Sequence, residues 1–252
     1  MIDRLGPGRR PEGAASRGGG SQKWRSLLFL HWEVPVAPLQ ALVPEGLTVD
    51  TFEGRAYVGL VAFTMKDVRP SRRLPAVPTA RDFHELNVRT YVHRGGRDPG
   101  VWFFSLDAAS ALAVLAARAF FHLPYFHARM HMRDEGDGRW AYRARRHWAS
   151  DEEAAFEARY EVGDDRGTAA EGTLEHFLVE RYLLFAETPR GALVRGQVHH
   201  RPYPLRRARV TELRESMVKA AGLRRPEDRV SELWSEGVDV EVFRLQRVER
   251  GA

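Results

Sequence analysis

Arg118-Ala-Phe-Phe-His-Leu-Pro-Tyr-Phe-His-Ala128 is the stretch on which the reading of the fold turns. It closes an Ala-rich apolar segment, Asp107 to Phe121, and opens a segment with strand character. Pro124 marks the change, because the residue before a proline is biased away from helical geometry. The pattern predicts a helix over 107–121 with Asp107 as its N-cap, followed by a strand over Phe126–Arg133.

Working outward, Trp24–Trp32 reads as a strand, and Pro38–Leu42 as a short helix that Pro44-Glu-Gly46 stops. Tyr57–Met65 is an apolar run of strand length, as expected of a strand buried on both faces. Pro70–Asp82, with three prolines, reads as a mobile loop. Phe83–His93 and Val101–Leu106 are two strands joined by Arg94–Gly100. Beyond the proline, Gly136-Asp-Gly138 turns the chain into Arg139–Trp148, where Trp140, Tyr142, Ala144 and Trp148 alternate with Arg139, Arg143, Arg145 and His147. The arginine row reads as a solvated sheet face. Ala154–Val162 alternates similarly. Leu174, Phe177, Leu178, Tyr182 and Phe185 recur at helical spacing, predicting an amphipathic helix over Thr173–Glu187 with Thr173 as cap. Gly196–Val210 and Val238–Val248 are strand-like, with a short helix over Arg214–Ala221. The fold class is α+β: a large, mostly antiparallel β-sheet with two main helices.

Residues 1–22 hold Gly, Arg, Pro and Ser with little to bury and read as a disordered tail; 23–252 then form a single domain. The net charge of +5 raises the question of nucleic acid. Its pattern argues against that partner: the lysines are Lys23, Lys66 and Lys219, and the arginines are interspersed with Asp and Glu rather than massed in a block. With no cysteine, disulfides, thiolate metal sites and a cysteine nucleophile are excluded. No apolar run approaches the roughly 20 residues of a membrane span, and the first residues lack the apolar core of a signal peptide. The expectation is a cytoplasmic protein without membrane or nucleic-acid partners, with homo-oligomerisation left open.

No metal is expected. His127 and His131 are four apart, but on a strand that separation is about 13 Å and cannot serve one ion. His84-Glu85 lacks the second histidine of the zinc-protease pattern. No phosphate loop, dinucleotide fingerprint or Gly-x-Ser-x-Gly elbow is present, so no cofactor is expected. In Phe83–Val92, strand alternation puts Leu86, Val88, Thr90 and Val92 on one face and Glu85, Asn87, Arg89 and Tyr91 on the other. The polar row is either an ordinary solvent face or the lining of a cavity.

The segments flanking Leu123-Pro124-Tyr125-Phe126 carry a resemblance. They are Phe29-Leu-His-Trp-Glu-Val-Pro35 with Leu42-Val-Pro-Glu-Gly-Leu47; Phe83-His-Glu-Leu-Asn-Val-Arg-Thr-Tyr-Val92; Gly100-Val-Trp-Phe-Phe-Ser-Leu-Asp107; and Phe177-Leu-Val-Glu-Arg-Tyr182 with His200-Arg-Pro-Tyr-Pro-Leu205. Together, over roughly residues 24–248, they resemble the YqjF-like family of bacterial proteins, which have no assigned function and form a branch of the acetoacetate decarboxylase-like superfamily. The resemblance implies a curved sheet closing into a cone or barrel around a small cavity. In the decarboxylases the first lysine after the proline forms the Schiff base, made nucleophilic by a cationic neighbour. Here that position is Tyr125, and Phe126 stands in place of the neighbour. Imine chemistry is therefore not expected.

By the same resemblance Glu85 falls near the decarboxylases' pocket glutamate, and Arg118 on the arginine preceding the lysine pair. Tyr125 is either a hydrogen-bond donor and acid or a packed aromatic. Arg118 either meets a ligand or bonds the carbonyls at its helix end. Two functional readings stand. In one, the protein is an enzyme acting without an imine on a small carboxylate or carbonyl metabolite, with Glu85 and Tyr125 as acid/base candidates and Arg118, Arg89 and Asn87 as ligand contacts. In the other, it is a non-catalytic small-molecule-binding or interaction module, its cavity filled by side chains such as Phe126.

Overall fold

The computed structural model describes residues 19–71, 81–147 and 154–248. In chain order the elements are β1 (Gly20–Val34), α1 (Val36–Gln40), β2 (Thr48–Val49), β3 (Ala56–Arg69), β4 (Phe83–Arg94), β5 (Arg97–Ala108), α2 (Ala111–Phe121), β6 (Tyr125–Gly136), β7 (Arg139–Arg146), β8 (Ala155–Gly167), α3 (Leu174–Val179), β9 (Leu183–Glu187), β10 (Leu193–His199), β11 (Leu205–Glu215), α4 (Met217–Ala220), β12 (Ser231–Val242) and β13 (Gln246–Arg247). Residues 1–18 of the expected tail, 72–80 of the expected loop and Trp148 lie outside the described residues. The sheet begins at Gly20, so residues 20–22 belong to β1 and not to a tail.

All thirteen strands join one sheet, antiparallel except where β6 and β9 run parallel to β5. Pairing of β4 with β5 closes nine of them, β5-β6-β7-β8-β11-β12-β1-β3-β4, into a ring. A second, smaller circuit branches from it. β9 pairs with β5, β10 with β9, and β10 again with β12 through Val198–Val242 and His199–Glu241. Five strands, β12, β1, β3, β4 and β5, are common to both circuits.

This shared wall explains why Tyr57–Met65 is apolar without alternation: every residue from Ala56 to Met65 is buried. One face contributes Leu28, Leu30, Trp32, Val58, Leu60, Leu86 and Val88 to a core completed by Tyr142, Phe156, Tyr160 and Trp234 inside the nine-stranded ring. The opposite face contributes Leu27, Phe29, Tyr57, Val61 and Tyr91 to a second core. That core is covered by Phe177 and Leu178 of α3, by Val194 and Val198 of β10, and at one end by Val114 and Leu123. At about 25 cal/mol per Å² of apolar surface, two such cores are the main stabilising term of the fold. On the outer side of the ring Arg139, Arg143 and Arg145 are exposed, with Arg139 paired to Asp137 and Arg143 to Glu157, as a solvated face requires.

Two helices differ from expectation. α2 starts at Ala111, and its cap is Ser110, whose hydroxyl accepts from the Ala113 N–H at 3.2 Å. Asp107 lies four residues earlier, in β5, fully buried and bound by both arms of Arg146 at 2.7 and 2.9 Å. Thr173 does cap α3, but that helix ends at Val179, well short of the expected Glu187. The helical spacing of Tyr182 and Phe185 is overridden by tertiary bonding. Arg181 pairs with Asp50, the Glu180 carboxylate takes the Tyr203 N–H, and Leu183–Glu187 enter the sheet against β10.

Candidate functional site

The polar row of β4 faces the second core, not solvent. Glu85 is 2%, Asn87 4% and Arg89 9% exposed, and Tyr91 is fully buried. Glu85 and Tyr125 meet there. The Tyr125 hydroxyl donates to Glu85 Oε2 at 2.7 Å, because Leu106, one pleat from the end of β5, stands level with both Asn87 of β4 and Tyr125 of β6. Burial pushes the Glu85 carboxyl up to about 8, against the opposing pull of hydrogen bonds from Tyr125 and Asn87. Burial, with the adjoining Glu85 charge, pushes the Tyr125 phenol well above its usual value. Tyr125 therefore keeps its proton near neutrality while Glu85 can hold or release one.

Arg118 is not gathered with them. It is exposed on α2, its Nε donates to the Tyr125 carbonyl oxygen at 2.6 Å, and its guanidinium lies 5.4 Å from the Phe126 ring. The acceptor is a carbonyl of β6, not one at the end of its own helix, so Arg118 ties α2 to the backbone of Tyr125. Phe126 points the other way from Tyr125, as strand alternation demands, with Arg146 stacked 3.8 Å from its ring centre. It therefore does not pack on the Glu85 side of the strand. The lysines also lie elsewhere: Lys66 and Lys219 are exposed, and Lys23 pairs with Asp67.

Arg89 donates to the Leu178 carbonyl oxygen at 3.1 Å, near the open C-terminus of α3. Tyr91 donates to the same oxygen at 2.8 Å. Since a phenol has one proton, the 2.8 Å contact between Tyr91 Oη and His31 Nε2 must have histidine as donor, which leaves His31 Nδ1 a bare acceptor. Burial, with Arg89 nearby, holds His31 well below its usual pKa, so the ring is neutral. Gly59 of β3 stands between His31 and Arg89 in the register. A Cβ there would come within 3.0 Å of the His31 ring and 3.2 Å of the Tyr91 hydroxyl, so any larger residue would make this pair give by a few tenths of an ångström.

Across from β4, His200 is 1% exposed, its ring 4.7 Å from both the Tyr182 and Tyr203 rings and 5.6 Å from Trp24. Glu180 fixes this group, accepting from the Tyr182 hydroxyl and from the Tyr203 N–H. Trp24 reaches the site because β1 bulges at Ser26, where φ is 53°. The bulge resets the alternation, so Trp24 packs with Leu27 and Phe29 on this face. Sequence reading passed over His31, His200 and Trp24. Two signals for His31 were legible: a histidine inside an apolar strand and its period-two spacing from Phe29. For Trp24 the bulge hid the pattern.

His127 and His147 stack at 4.9 Å on the outer part of the sheet. Among the described residues no group of three or more His, Asp or Glu is placed to hold a metal, and no helix is long and apolar enough to cross a membrane.

A closed, curved, mostly antiparallel sheet of this topology is an acetoacetate decarboxylase-like fold. Solved structures of that class match over most of the chain. Acetoacetate decarboxylase from Legionella pneumophila superposes with a TM-score of 0.64 at 15% identity, covering 96% of this chain and 92% of the other. The enduracididine biosynthesis enzyme MppR, complexed with pyruvate, gives 0.62 at 14% identity, covering 92% and 90%. Likeness at such identities establishes the fold alone. The family is established by sequence: residues 21–239 match DUF2071, described as an uncharacterized conserved protein. The protein YqjF of Bacillus subtilis (strain 168) is 43% identical over 206 residues, 82% of this chain and 83% of that one. The chain belongs to this YqjF-like family.

Proposed function

We propose that the buried face of β4 binds a small metabolite bearing a carboxylate or carbonyl and moves a proton on it, with Glu85 as the acid/base. The observation that carries this reading is the Tyr125–Glu85 hydrogen bond inside a buried site. A carboxyl poised at about 8 exchanges protons near neutral pH far more readily than an exposed glutamate. Tyr125, which stays protonated, positions Glu85 and does not itself carry the proton. Asn87 supports the ionised form, and Arg89, four residues on along the same face, is the anion anchor in preference to Arg118.

In the simplest step, the Glu85 carboxylate takes a proton from the carbon next to a carbonyl, and the electron pair moves to the carbonyl oxygen. Return of the proton restores both groups, so no co-reactant is needed. Imine formation has no place in it, because Tyr125 occupies the position where the decarboxylases carry their lysine. That MppR, with the same fold, holds pyruvate supports a short keto acid as the first ligand to try.

Proton NMR in deuterated buffer tests the reading on pyruvate, 2-oxobutyrate and acetoacetate. The wild type is expected to exchange the protons next to the carbonyl faster than buffer. Glu85→Gln should abolish that exchange and Tyr125→Phe slow it by about 10- to 100-fold. Folded wild type that exchanges none of them removes the catalytic role and leaves a binding module. A covalent adduct on Lys66 after borohydride treatment with a keto acid would overturn the non-imine chemistry.

A further inference from the structure

Among the described residues, two buried arginines of the second core meet the C-terminal end of α3, and they are balanced differently. Arg181 donates to the Phe177 carbonyl and also pairs with Asp50 at 2.7 Å, both groups almost fully buried. Arg89 has only neutral partners, the carbonyl of Leu178 and the hydroxyl of Tyr91: no carboxylate lies within ion-pair distance of it, and its Nε is buried without a partner. Aromatic faces flank it, Phe29 at 5.9 Å and Tyr91 at 5.8 Å from the guanidinium carbon. A buried charge is costly unless an opposite charge accompanies it, and one carbonyl dipole is not a counter-ion. Arg89 lacks the anion that Arg181 has.

Among the other unpartnered buried atoms on this face Trp24 Nε1 is a donor, which an anion can also meet, and the rest say what else that anion must carry. Asn87 Oδ1 and His31 Nδ1 are acceptors without donors. His200 Nδ1 faces the Arg201 carbonyl oxygen at 2.7 Å; a carbonyl only accepts, so the proton sits on Nδ1 and Nε2 presents a bare lone pair. That lone pair is buried and unpartnered. The His200 ring is held by the hydrogen bond to the Arg201 carbonyl and by packing between Tyr182 and Tyr203, which Glu180 fixes. Tyr203 also packs 5.3 Å from Phe29, whose ring lies against Arg89, so His200 and Arg89 flank the same aromatic pair. One end of this lining holds an unbalanced cation and the other a fixed acceptor.

We propose that the natural ligand is a small carboxylate that also bears a hydroxyl or N–H donor: Arg89 pairs with the carboxylate, and His200 Nε2 accepts from the donor. Neither a simple fatty acid nor an unsubstituted keto acid satisfies both ends. The inference rests on the binding site proposed above, and it adds the recognition rule to it. It also makes His200 a specificity residue that discriminates by hydrogen bonding, where an unmet buried acceptor penalises the wrong ligand.

Matched pairs test it by titration calorimetry on the full chain: lactate against propionate, 3-hydroxybutyrate against butyrate, with alanine and serine as the N–H arm. Wild type is expected to bind the donor-bearing member of at least one pair about 10-fold more tightly, the equivalent of about 1.4 kcal/mol. His200→Asn keeps a donor toward the Arg201 carbonyl and takes the acceptor away from the Nε2 position, which its shorter amide oxygen does not reach. It should bring the pair within about 2-fold while leaving the poorer ligand unchanged. Arg89→Met should lose both members, and Arg89→Lys should retain weakened binding of both. Equal affinity within every pair, binding indifferent to Arg89→Met, or no binding of any acid by folded wild type each overturns the proposal.

The arms also separate this rule from the acid/base reading. Loss of pair preference while Glu85→Gln still abolishes exchange sinks the recognition rule alone. Preference that persists in a wild type unable to exchange any keto acid sinks the acid/base reading alone.

Discussion

The two faces of β12, β1, β3, β4 and β5 are built from the same strands and put to opposite uses. Toward the nine-stranded ring they carry Leu, Val, Trp and Ala, and the space is closed by Tyr142, Phe156 and Trp234. Toward α3 and β10 they carry Glu85, Asn87, Arg89, His31 and Tyr91 among aromatic residues. Both faces are equally buried, so water exclusion does not distinguish them. Polarity does. An apolar interior reaches its lowest free energy filled, whereas a buried polar face with atoms left unpartnered is stabilised by whatever can complete its bonds.

The comparison breaks most readily in the ring core. Phe156, 1% exposed and packed edge-on to Tyr142, should cost about 3–5 kcal/mol on replacement by alanine, read by chemical denaturation. Ligand affinity of the fraction that remains folded should not change. A variant that kept its stability but lost binding would invert the division of labour.

The polar face responds to pH instead. Glu85 is raised in the folded state, so between its unfolded value near 4.5 and about 8 the native protein holds a proton that the unfolded chain has released. Stability from this group is complete below the unfolded value and is lost as pH rises through about 8. Glu180 and Asp107 are raised by burial and act with the same sign, so the difference between wild type and Glu85→Gln isolates the one residue. Thermal melts at about pH 5 and pH 9 should show the wild type losing a few kcal/mol more than the variant. A wild type whose pH slope equals that of the variant places Glu85 in water. His200, lowered to about 4 by burial, works in the acid range with the opposite slope: its contribution is lost as pH falls below the ordinary histidine value.

Gly59→Ala sharpens the boundary between the faces. The added methyl meets His31 and Tyr91 on the polar side only, and about 1–3 kcal/mol of destabilisation is expected from the displaced rings. Tyr91→Phe should relieve part of it in a double-mutant cycle. The smallest effect belongs to Arg118→Ala: one exposed hydrogen bond to the Tyr125 carbonyl, about 1 kcal/mol or less, with ligand affinity unchanged. Set against Arg89→Met, it compares an arginine that serves the backbone with the proposed anion anchor.

Much of this was legible beforehand. Alternation in Phe83–Val92 fixed which side chains share a face, and the unbroken apolar run of Tyr57–Met65 announced a strand with two covered faces. The proline after Leu123 located the helix-to-strand turn. The helix boundaries were less legible, because capping depends on which side chain is left near the first turn. Asp107 was taken by Arg146 from β7, and Ser110 did the capping.

What the sequence determined by itself is the class of the fold and the family, since these depend on local pattern and order along the chain. What only the tertiary structure decided is which face of the polar row is buried, and by what. The partners of Glu85, Arg181 and His31 are separated from them by 40, 131 and 60 residues, and no local period encodes such distances. Among the described residues the same closure brings Asp50 to Arg181 and no acid to Arg89, an imbalance that exists only once the chain has folded.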